Sequence, residues 1–330
     1  MKKVAAICLL IVLVVCLAAC APAESTARGF SMGSEYYVTY TSKTDLSKSI
    51  SELLSSIEES FSVREQGSVI SRMNAAGAGE VVSLTREEAA VLTEAFSLSQ
   101  ETEGAFDPSV LPLVEAWGFD PPYEMNGEVP PSQQAVAEAK SLSDLSLFDL
   151  NATQNCIVKS NDKASLDLGA AIKGYAAQAV AESVAKEAKE ALVYIGGTIA
   201  AVGRDYVIGV TPPRDSKESY AFRFTLQEGE ICATSGDYER FYIYDGVRYH
   251  HILDARTGYP ASAGVISVTV VHQNGLIADA LATAVVVLGA EKGAALLEKC
   301  GAKGAIVTSD KKVITYGLSV TIKDTAYEIA

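Results

Sequence analysis

Hydrophobic spacing divides the chain into a helical first half and a strand-rich second half. Up to about residue 190, apolar positions recur every three or four residues, which is the period of a helix with one buried face. Thr85 and Glu88 form a capping-box pattern at the start of one such stretch, and Ser132 is a capping residue at the start of another. The pattern predicts helices over residues 45–61, 85–101, 132–140 and 170–189.

Short β-rich runs separated by Gly, Pro or Asp dominate from Leu192 onward, with one helical stretch from Ile277 to Cys300. These runs follow one another too closely for regular βαβ units. The pattern therefore favours an α+β fold, with helices packed on a mainly antiparallel sheet. A Pro- and Gly-rich loop over residues 118–132 is a candidate junction between two subdomains.

The first residues have the pattern of a secretory signal. Lys2 and Lys3 precede an apolar run over residues 4–17, shorter than the roughly 20 residues of a membrane-spanning helix. The Leu-Ala-Ala-Cys sequence that ends at Cys20 resembles a bacterial lipobox, whose cysteine becomes the lipidated first residue. An ordinary signal peptide or an uncleaved anchor is the alternative. We expect a signal peptide (residues 1–19), a lipidated Cys20 with a flexible tether (20–28) and one domain of one or two subdomains (29–330).

This organisation predicts a protein anchored by lipid to the cell membrane, on the extracytoplasmic or periplasmic side. The chain has 27 Lys and Arg against 41 Asp and Glu, a net charge of −14, and loss of Lys2 and Lys3 would leave −16. Such a charge argues against nucleic acid and against a polybasic membrane patch. Cys156, Cys232 and Cys300 remain after processing, an odd number that indicates neither a disulfide framework nor a zinc pattern.

Two stretches place polar groups where chemistry could occur. Asp279 and Thr283 are four residues apart, so they share one face of an otherwise apolar helix. They could provide oxygen ligands for Mg²⁺, or Asp279 could cap the helix while Thr283 bonds to its own turn; the residues alone leave both open. Gly169 precedes a helix whose free N–H groups, with Lys173 in the first turn, could attract phosphate.

Seven short motifs in order along the chain resemble the ApbE family of Mg²⁺-dependent FAD:protein FMN transferases, which are commonly bacterial lipoproteins. Their order and spacing, from about Gly29 to Tyr316, are far more specific than any one motif. The motifs are Ser31-Met32-Gly33-Ser34, Gly104-Ala105-Phe106-Asp107-Pro108, Asp167-Leu168-Gly169 with Lys173-Gly174, Gly196-Gly197, Thr234-Ser235-Gly236, His251-Ile252-Leu253-Asp254 with Thr257-Gly258, and Asp279-Ala280-Leu281-Ala282-Thr283.

The resemblance also implies a role for each matching residue. His251 would be at the reacting centre, and a histidine that titrates near neutrality suits a general base. His250 faces the other way if the two lie in a strand, so we expect it to be structural. The residues implied for the FAD site are Met32, Ala105, Phe106, Asp107, Asp167, Lys173 and His251, and those implied for Mg²⁺ are the Ala170 carbonyl, Asp279 and Thr283.

The reaction implied by the resemblance moves FMN from FAD to a Thr or Ser hydroxyl of an acceptor protein and releases AMP. The acceptor would be a subunit of a membrane redox complex or an extracytoplasmic flavoprotein. Two alternatives stay open at this point. With water as the nucleophile, the same site would be an FAD pyrophosphatase that yields FMN and AMP. A lipid-anchored flavin- or solute-binding protein without turnover is the alternative of a different class, although binding alone requires neither a metal nor a base.

Overall fold

The structure of the protein is a computed structural model that describes residues 23–119 and 129–330. Within these residues the α-helices are α1 Ser47–Phe61, α2 Val69–Ala75, α3 Arg86–Glu101, α4 Leu111–Ala116, α5 Gln133–Leu142, α6 Ile172–Val184, α7 Gly275–Leu288 and α8 Ala290–Lys299, and Leu145–Leu147 is a short 3₁₀ helix. The strands are β1 Ala23–Ser31, β2 Ser34–Ser42, β3 Val82–Ser83, β4 Phe148–Asn151, β5 Cys156–Lys159, β6 Ala188–Ile195, β7 Thr198–Val202, β8 Tyr206–Val210, β9 Phe222–Leu226, β10 Ile231–Gly236, β11 Phe241–Tyr244, β12 Val247–His250, β13 Leu253–Asp254, β14 Tyr259–Pro260, β15 Val265–His272, β16 Lys303–Thr308, β17 Lys312–Tyr316, β18 Thr321–Ile322 and β19 Glu328–Ile329.

A nine-stranded sheet forms the centre of the described fold, in the strand order β1-β2-β6-β7-β10-β15-β16-β17-β19. Its neighbouring strands are antiparallel, except that β17 and β19 are parallel. The other strands form small sheets of two or three strands each. The predicted α+β class with a mainly antiparallel sheet is therefore confirmed.

Both faces of the central sheet are covered, which explains why seven of the eight residues of β15 are buried. Helices α6 and α7 pack on one face, with α7 against β10 and β15. Strands β8 and β9 cover the other face, where Phe222 and Leu226 are fully buried. A smaller apolar cluster around Trp117 joins α4 and α5 to the hairpins that follow β10.

Helix starts that depend on local capping are confirmed. The Thr85 hydroxyl accepts the Glu88 N–H at 3.1 Å, and the Glu88 carboxylate accepts the Thr85 N–H at 2.6 Å, so the capping box is complete. The Ser132 hydroxyl likewise accepts the Ala135 N–H at 3.2 Å. Helix α3 ends at Glu101, as the pattern predicted.

Two helix ends differ from the prediction because packing and backbone geometry determine them. The helix predicted over residues 170–189 ends at Val184, since Ala188 already pairs with β2. The helical stretch from 277 to 300 is two helices, because Gly289 adopts φ 85° between α7 and α8. No helix among the described residues is both long and apolar enough to cross a membrane.

Part of the segment expected to be a tether forms a strand. Residues 23–28 belong to β1 and pair with β2 over their whole length, so the prediction of a tether up to residue 28 was wrong for this part. The predicted signal peptide, Cys20 and residues 120–128 of the Pro-rich loop lie outside the described residues.

Helices α6 and α7 cross at a pair of glycines. A Cβ atom on Gly174 would lie 1.9 Å from the Gly275 carbonyl oxygen, and one on Gly275 would lie 2.1 Å from the Gly174 carbonyl oxygen. Neither position can hold a side chain without separating the helices. The close approach lets the Gln178 amide oxygen accept the Gly275 N–H at 2.8 Å, so one helix caps the other.

We predict that Gly174→Ala lowers the free energy of unfolding by about 3 kcal/mol, because the methyl group must push two backbones apart. Urea unfolding of the chain measures this difference. Gly67→Ala is the matched control, since a Cβ there meets no atom within 4 Å, and its effect should stay within about 0.5 kcal/mol. Equal effects at the two glycines would contradict the importance of the crossing.

Candidate active site

The glycine crossing brings a carboxylate of α7 to the start of α6. Asp279 is only 4% exposed, and its Oδ2 accepts the Gly174 N–H at 3.0 Å. That N–H is one of the donors that a helix leaves unpaired in its first turn. Burial raises the pKa of Asp279, while Lys173 and the Gly174 hydrogen bond act in the opposite direction.

Asp279 is therefore not the cap of its own helix. The cap of α7 is Asn274, whose side chain accepts the Ile277 N–H at 3.1 Å. Thr283 lies one turn beyond Asp279, and its hydroxyl is 3.3 Å from the Ser235 hydroxyl of β10 rather than bonded to its own turn. Of the two interpretations left open by the sequence, the capping one is thus not supported.

The oxygens near this crossing are chemically suited to Mg²⁺. Asp279 supplies one carboxylate and Thr283 a hydroxyl, and within the described residues the Ala170 carbonyl accepts no hydrogen bond, because the Gly174 N–H bonds to Asp279 instead. Hard cations prefer such oxygen ligands. No three His, Cys, Asp or Glu side chains cluster as a metal site within residues 23–119 and 129–330, so a cation here would depend on one carboxylate and neutral oxygens. The metal site stays a prediction.

Lys173 contributes a positive charge to this region. Its Nζ donates to the Gly169 carbonyl at 3.0 Å, across the first turn of α6. Burial raises the pKa of Asp279 and of Glu239, and the positive charge of Lys173 opposes this rise at both. At His251, burial is the main cause of the lowered pKa, and the charge of Lys173 lowers it further. Lys173 is therefore electrostatically coupled to the predicted base and the predicted metal carboxylate.

The turn between β1 and β2 packs against the same lysine. Met32 and Gly33 have φ values of 50° and 71°, and positive φ at both central residues is the geometry of a type I′ hairpin turn. A Cβ on Gly196 would lie 2.6 Å from the Ser34 hydroxyl oxygen and 2.9 Å from Lys173 Cδ. The paired glycines after β6 thus let this turn and Lys173 approach each other.

A cavity of about 310 Å³ opens at this turn, and Gly33, Ser34, Gly196, Gly197 and Glu239 are among its lining residues. Four of these, Gly33, Ser34, Gly196 and Gly197, belong to the seven motifs. A larger groove of about 650 Å³ lies along α3 and is lined by no residue of those motifs. We therefore regard the smaller cavity as the one connected with the predicted chemistry.

Two other predicted segments meet each other at a backbone hydrogen bond. The Asp167 N–H donates to the Pro108 carbonyl at 2.7 Å, which places the residues after Asp107 beside those before Gly169. The Asp107 carboxylate accepts the Ser109 N–H and hydroxyl at 2.8 and 2.6 Å, while burial raises its pKa. The Asp167 carboxylate accepts the Gly169 N–H at 2.7 Å.

Ala105 and Phe106 occupy a different environment. Their side chains belong to the core and are 2% and 1% exposed, respectively. Only the backbone of these two residues could meet a ligand. The preceding Gly104 adopts φ 74° and packs against Arg256, with its Cβ position 3.7 Å from Arg256 Cγ, so this loop is joined to the histidine motif.

His251 is half-buried at the end of the β11–β12 hairpin and has a defined tautomer. Its Nδ1 lies 3.2 Å from the Arg240 carbonyl oxygen, so Nδ1 carries the proton and donates it in this hydrogen bond. The Nε2 lone pair is then the proton acceptor of the ring. Burial is the main cause that lowers the pKa of His251 well below its usual value, followed by the charge of Arg240. The ring is therefore neutral at pH 7, as a general base must be.

His250 is a structural residue, as we expected from its place in the strand. It is 5% exposed, its Nε2–H donates to the Ala261 carbonyl at 2.9 Å, and its Nδ1 accepts the Ile252 N–H at 3.3 Å. Both ring nitrogens are thus occupied in the neutral form. Burial lowers the pKa of His250.

The rest of the histidine motif builds a turn. Asp254 forms a bidentate ion pair with Arg256, at 2.8 and 2.9 Å, and its carbonyl accepts the Gly258 N–H at 2.7 Å. Gly258 has φ 85°, and its carbonyl accepts the Trp117 indole N–H at 2.8 Å. The residues of this stretch thus build a turn in addition to presenting His251.

Sequence reasoning missed three residues of the site. Ser235 contacts Thr283, the Arg240 carbonyl fixes the His251 tautomer, and Glu239 interacts electrostatically with both Lys173 and Asp279. Ser235 lies within the Thr-Ser-Gly motif that carried part of the family resemblance, and Glu239 and Arg240 follow it closely. The sequence analysis gave the Thr-Ser-Gly motif no role, and this unassigned motif was the signal that could have led to all three residues.

Comparison with known proteins follows the same motifs over most of the chain. The ApbE family profile matches residues 32–307. The FAD:protein FMN transferase of Vibrio cholerae is 32% identical over 291 residues, which cover 84% of this chain and 85% of that protein. The FAD:protein FMN transferase of Haemophilus influenzae is 29% identical over 315 residues, 91% of each chain.

Solved structures are similar over the whole fold. The ApbE protein of Thermotoga maritima has a TM-score of 0.77 and 31% identity, and the alignment covers 92% of this chain and 98% of that one. The flavin transferase ApbE of Vibrio cholerae has a TM-score of 0.78 and 27% identity, with the same coverage. The likeness thus extends well beyond the short motifs.

The neutral state of His250 predicts a pH dependence of stability. Because the folded pKa lies below the unfolded value of 6.5, the unfolded chain binds the proton more readily. The stability that His250 contributes is complete above pH 6.5 and is lost as the pH falls from there through the folded pKa. We expect His250→Gln to flatten this part of the stability curve, measured by urea unfolding between pH 7.5 and 5. His272→Gln is the matched control, and an equal flattening by it would contradict the assignment.

Proposed function

Because the chain belongs to the ApbE family, we propose that it is a Mg²⁺-dependent FAD:protein FMN transferase, which moves FMN from FAD to a Thr or Ser hydroxyl of an acceptor protein. The observation that carries the proposal is the state of His251. Its Nδ1–H donates to the Arg240 carbonyl, so Nε2 is the proton acceptor of a neutral ring that lies within the electrostatic influence of Lys173.

The proposed reaction is a displacement at the FMN-side phosphorus of FAD. The acceptor hydroxyl loses its proton to His251 Nε2 while its oxygen forms a bond to that phosphorus. The bond from this phosphorus to the bridging oxygen breaks, and AMP leaves with the bridging oxygen. FMN is then held by a phosphodiester to the acceptor protein, and the proton on His251 passes to solvent.

The negative charge of the pyrophosphate calls for nearby positive groups. The N-terminal end of α6 and the Lys173 ammonium supply them from this chain. Asp279, Thr283 and the Ala170 carbonyl would hold Mg²⁺, which when bound neutralises charge on phosphate oxygens. We also place Met32, Asp107 and Asp167 in the FAD site.

The two alternative functions, an FAD pyrophosphatase and a flavin-binding protein without turnover, would use these residues differently. An FAD pyrophosphatase would use His251 in the same way but with water as the nucleophile, so only the products distinguish it from a transferase. A flavin-binding protein without turnover does not require a neutral histidine with a fixed tautomer under the electrostatic influence of a lysine. The site therefore favours catalysis over binding alone.

The deciding experiment mixes a chain that begins after Cys20 with FAD and an acceptor domain that bears a Thr target. We expect the intact mass of the acceptor to increase by one FMN less one water, with Mg²⁺ present and not with EDTA. Asp279→Asn should abolish the metal response. Free FMN and AMP with an unmodified acceptor would identify a hydrolase instead, provided that a known active transferase modifies the same acceptor.

In the same assay, His251→Ala should slow transfer roughly 10²–10⁴-fold, the usual contribution of a general base. His272→Ala, which removes a histidine that none of the seven motifs includes, serves as the matched control. Transfer by His251→Ala at the parental rate would contradict the role of His251 and leave the transferase activity itself intact.

We also propose that the full-length chain is anchored to the membrane by lipid on Cys20, with the domain on the extracytoplasmic or periplasmic side and with a flavoprotein or membrane redox-complex subunit as acceptor. The small-small-Cys sequence at Cys20 supports this.

Expressed in a bacterium, the wild-type chain should fractionate with membranes and incorporate labelled palmitate. Cys20→Ser should lose the label, whereas Cys16→Ser, the matched control within the apolar run, should keep it. Label retained in Cys20→Ser would contradict the anchor.

A further inference from the structure

Lys159, at the end of β5, is a buried lysine that none of the motifs above includes. It is 0% exposed, and its Nζ donates to the carbonyl oxygens of Asn74, Asp162 and Ala164 at 2.7, 3.0 and 3.0 Å. An ammonium has three N–H donors, so all of them are used. None of the ion pairs among the described residues includes Lys159. A buried charge without an ion pair is unfavourable unless hydrogen bonds compensate for it, and here the partners are backbone carbonyls.

Asn74, whose carbonyl accepts a hydrogen bond from Lys159, also contacts Leu166 through its side chain. The Asn74 side-chain amide donates to the Leu166 carbonyl at 2.9 Å, and its side-chain oxygen accepts the Leu166 N–H at 2.7 Å. Asn74 therefore holds both backbone polar groups of Leu166, as a neighbouring strand would. Its backbone is held in turn by Lys159.

Leu166 directly precedes a residue of the proposed FAD site. The Asp167 N–H donates to the Pro108 carbonyl at 2.7 Å, next to Asp107. A continuous chain of hydrogen bonds thus runs from Lys159 through Asn74 and Leu166 to the two segments that contain Asp107 and Asp167. The carbonyls of Asp162 and Ala164, which also bind Lys159, lie in the loop that leads to Leu166.

We propose that Lys159 is a positioning residue of the FAD site: its ammonium gathers three carbonyls and thereby holds Asn74 against Leu166, which fixes the backbone at Asp167 and Pro108. This inference rests on the proposed function, because it takes Asp107 and Asp167 to line the FAD site. Lys159 itself touches no reacting atom.

Removal of the ammonium should therefore act on FAD binding rather than on the chemical step. Without it, three carbonyl oxygens face one another without a donor, and the loop over residues 160–166 must relax. His251 and Asp279 belong to other elements and keep their contacts. Loss of a preorganised binding segment raises KM while kcat at saturating FAD stays close to its original value.

The test uses Lys159→Met in the full chain, with Lys163→Met as the matched control. Lys163 is exposed in the same loop, and its substitution changes net charge and composition identically. We expect Lys159→Met to raise the KM for FAD on the order of tenfold, which corresponds to 1.4 kcal/mol, with kcat within about twofold of wild type. Lys163→Met should match the wild-type chain in both constants.

Hydrogen exchange supplies a readout that does not depend on activity. The amides of residues 166–169 should exchange faster in Lys159→Met than in Lys163→Met, while those of β16, an interior strand of the nine-stranded sheet, should be unchanged. If Lys159→Met fails to fold, Asn74→Ser is the second variant, because it keeps the backbone carbonyl for Lys159 but loses the two-point contact with Leu166. We expect Asn74→Ser to raise the KM for FAD by the same factor.

Three outcomes would overturn the positioning role: a lower melting temperature with an unchanged KM for FAD, a fall in kcat with an unchanged KM, or unchanged exchange over residues 166–169. The first would make Lys159 a purely structural residue. Absence of transfer by the wild-type chain would count against the proposed function instead. FAD dissociation constants from flavin fluorescence would then provide the same comparison between the two lysine variants.

Discussion

The close approach of α6 and α7 is the constraint on which the rest of the site depends. Gly174 and Gly275 let the two backbones meet, and at this distance each helix caps the other. Asp279 accepts the Gly174 N–H, and Gln178 accepts the Gly275 N–H. The N-terminal ends of two helices therefore meet at one point, and their partial positive charges add to that of Lys173. The crossing thus sets both the packing of the core and the charge of the site.

The same crossing explains how a carboxylate persists in a very apolar helix. Asp279 is buried, and the Gly174 N–H is its one hydrogen-bond donor among the described residues. A buried carboxylate with so few partners destabilises the fold at neutral pH, unless a cation shares the site. Met32, held at φ 50° in the neighbouring turn, is a second local departure from what folding alone would select. Both lie at the proposed site, where such departures are expected.

Features determined by neighbours in sequence were predictable, whereas features determined by distant packing were not. The Thr85 capping box is complete within four residues, and it formed as predicted. The end of α6 at Val184, by contrast, depends on the pairing of β6 with β2, which lies far away in sequence. Whether Asp279 caps its helix depends on Gly174, 105 residues before it. Lys159 gave no signal, because a sequence does not distinguish a buried lysine from a solvated one.

A chain with a large negative net charge can still bind an anionic pyrophosphate, because only the charges nearest to the bound group act on it strongly. A chain of net charge −14 repels polyanions at long range, which argues against a nucleic-acid partner. Physiological salt screens charges beyond about 8 Å, so a bound pyrophosphate would interact mainly with its nearest groups. These are the start of α6 and Lys173, held beside the Met32 turn by the glycines after β6. The local arrangement of a few backbone N–H groups and one ammonium, rather than overall charge, therefore decides whether a nucleotide can bind.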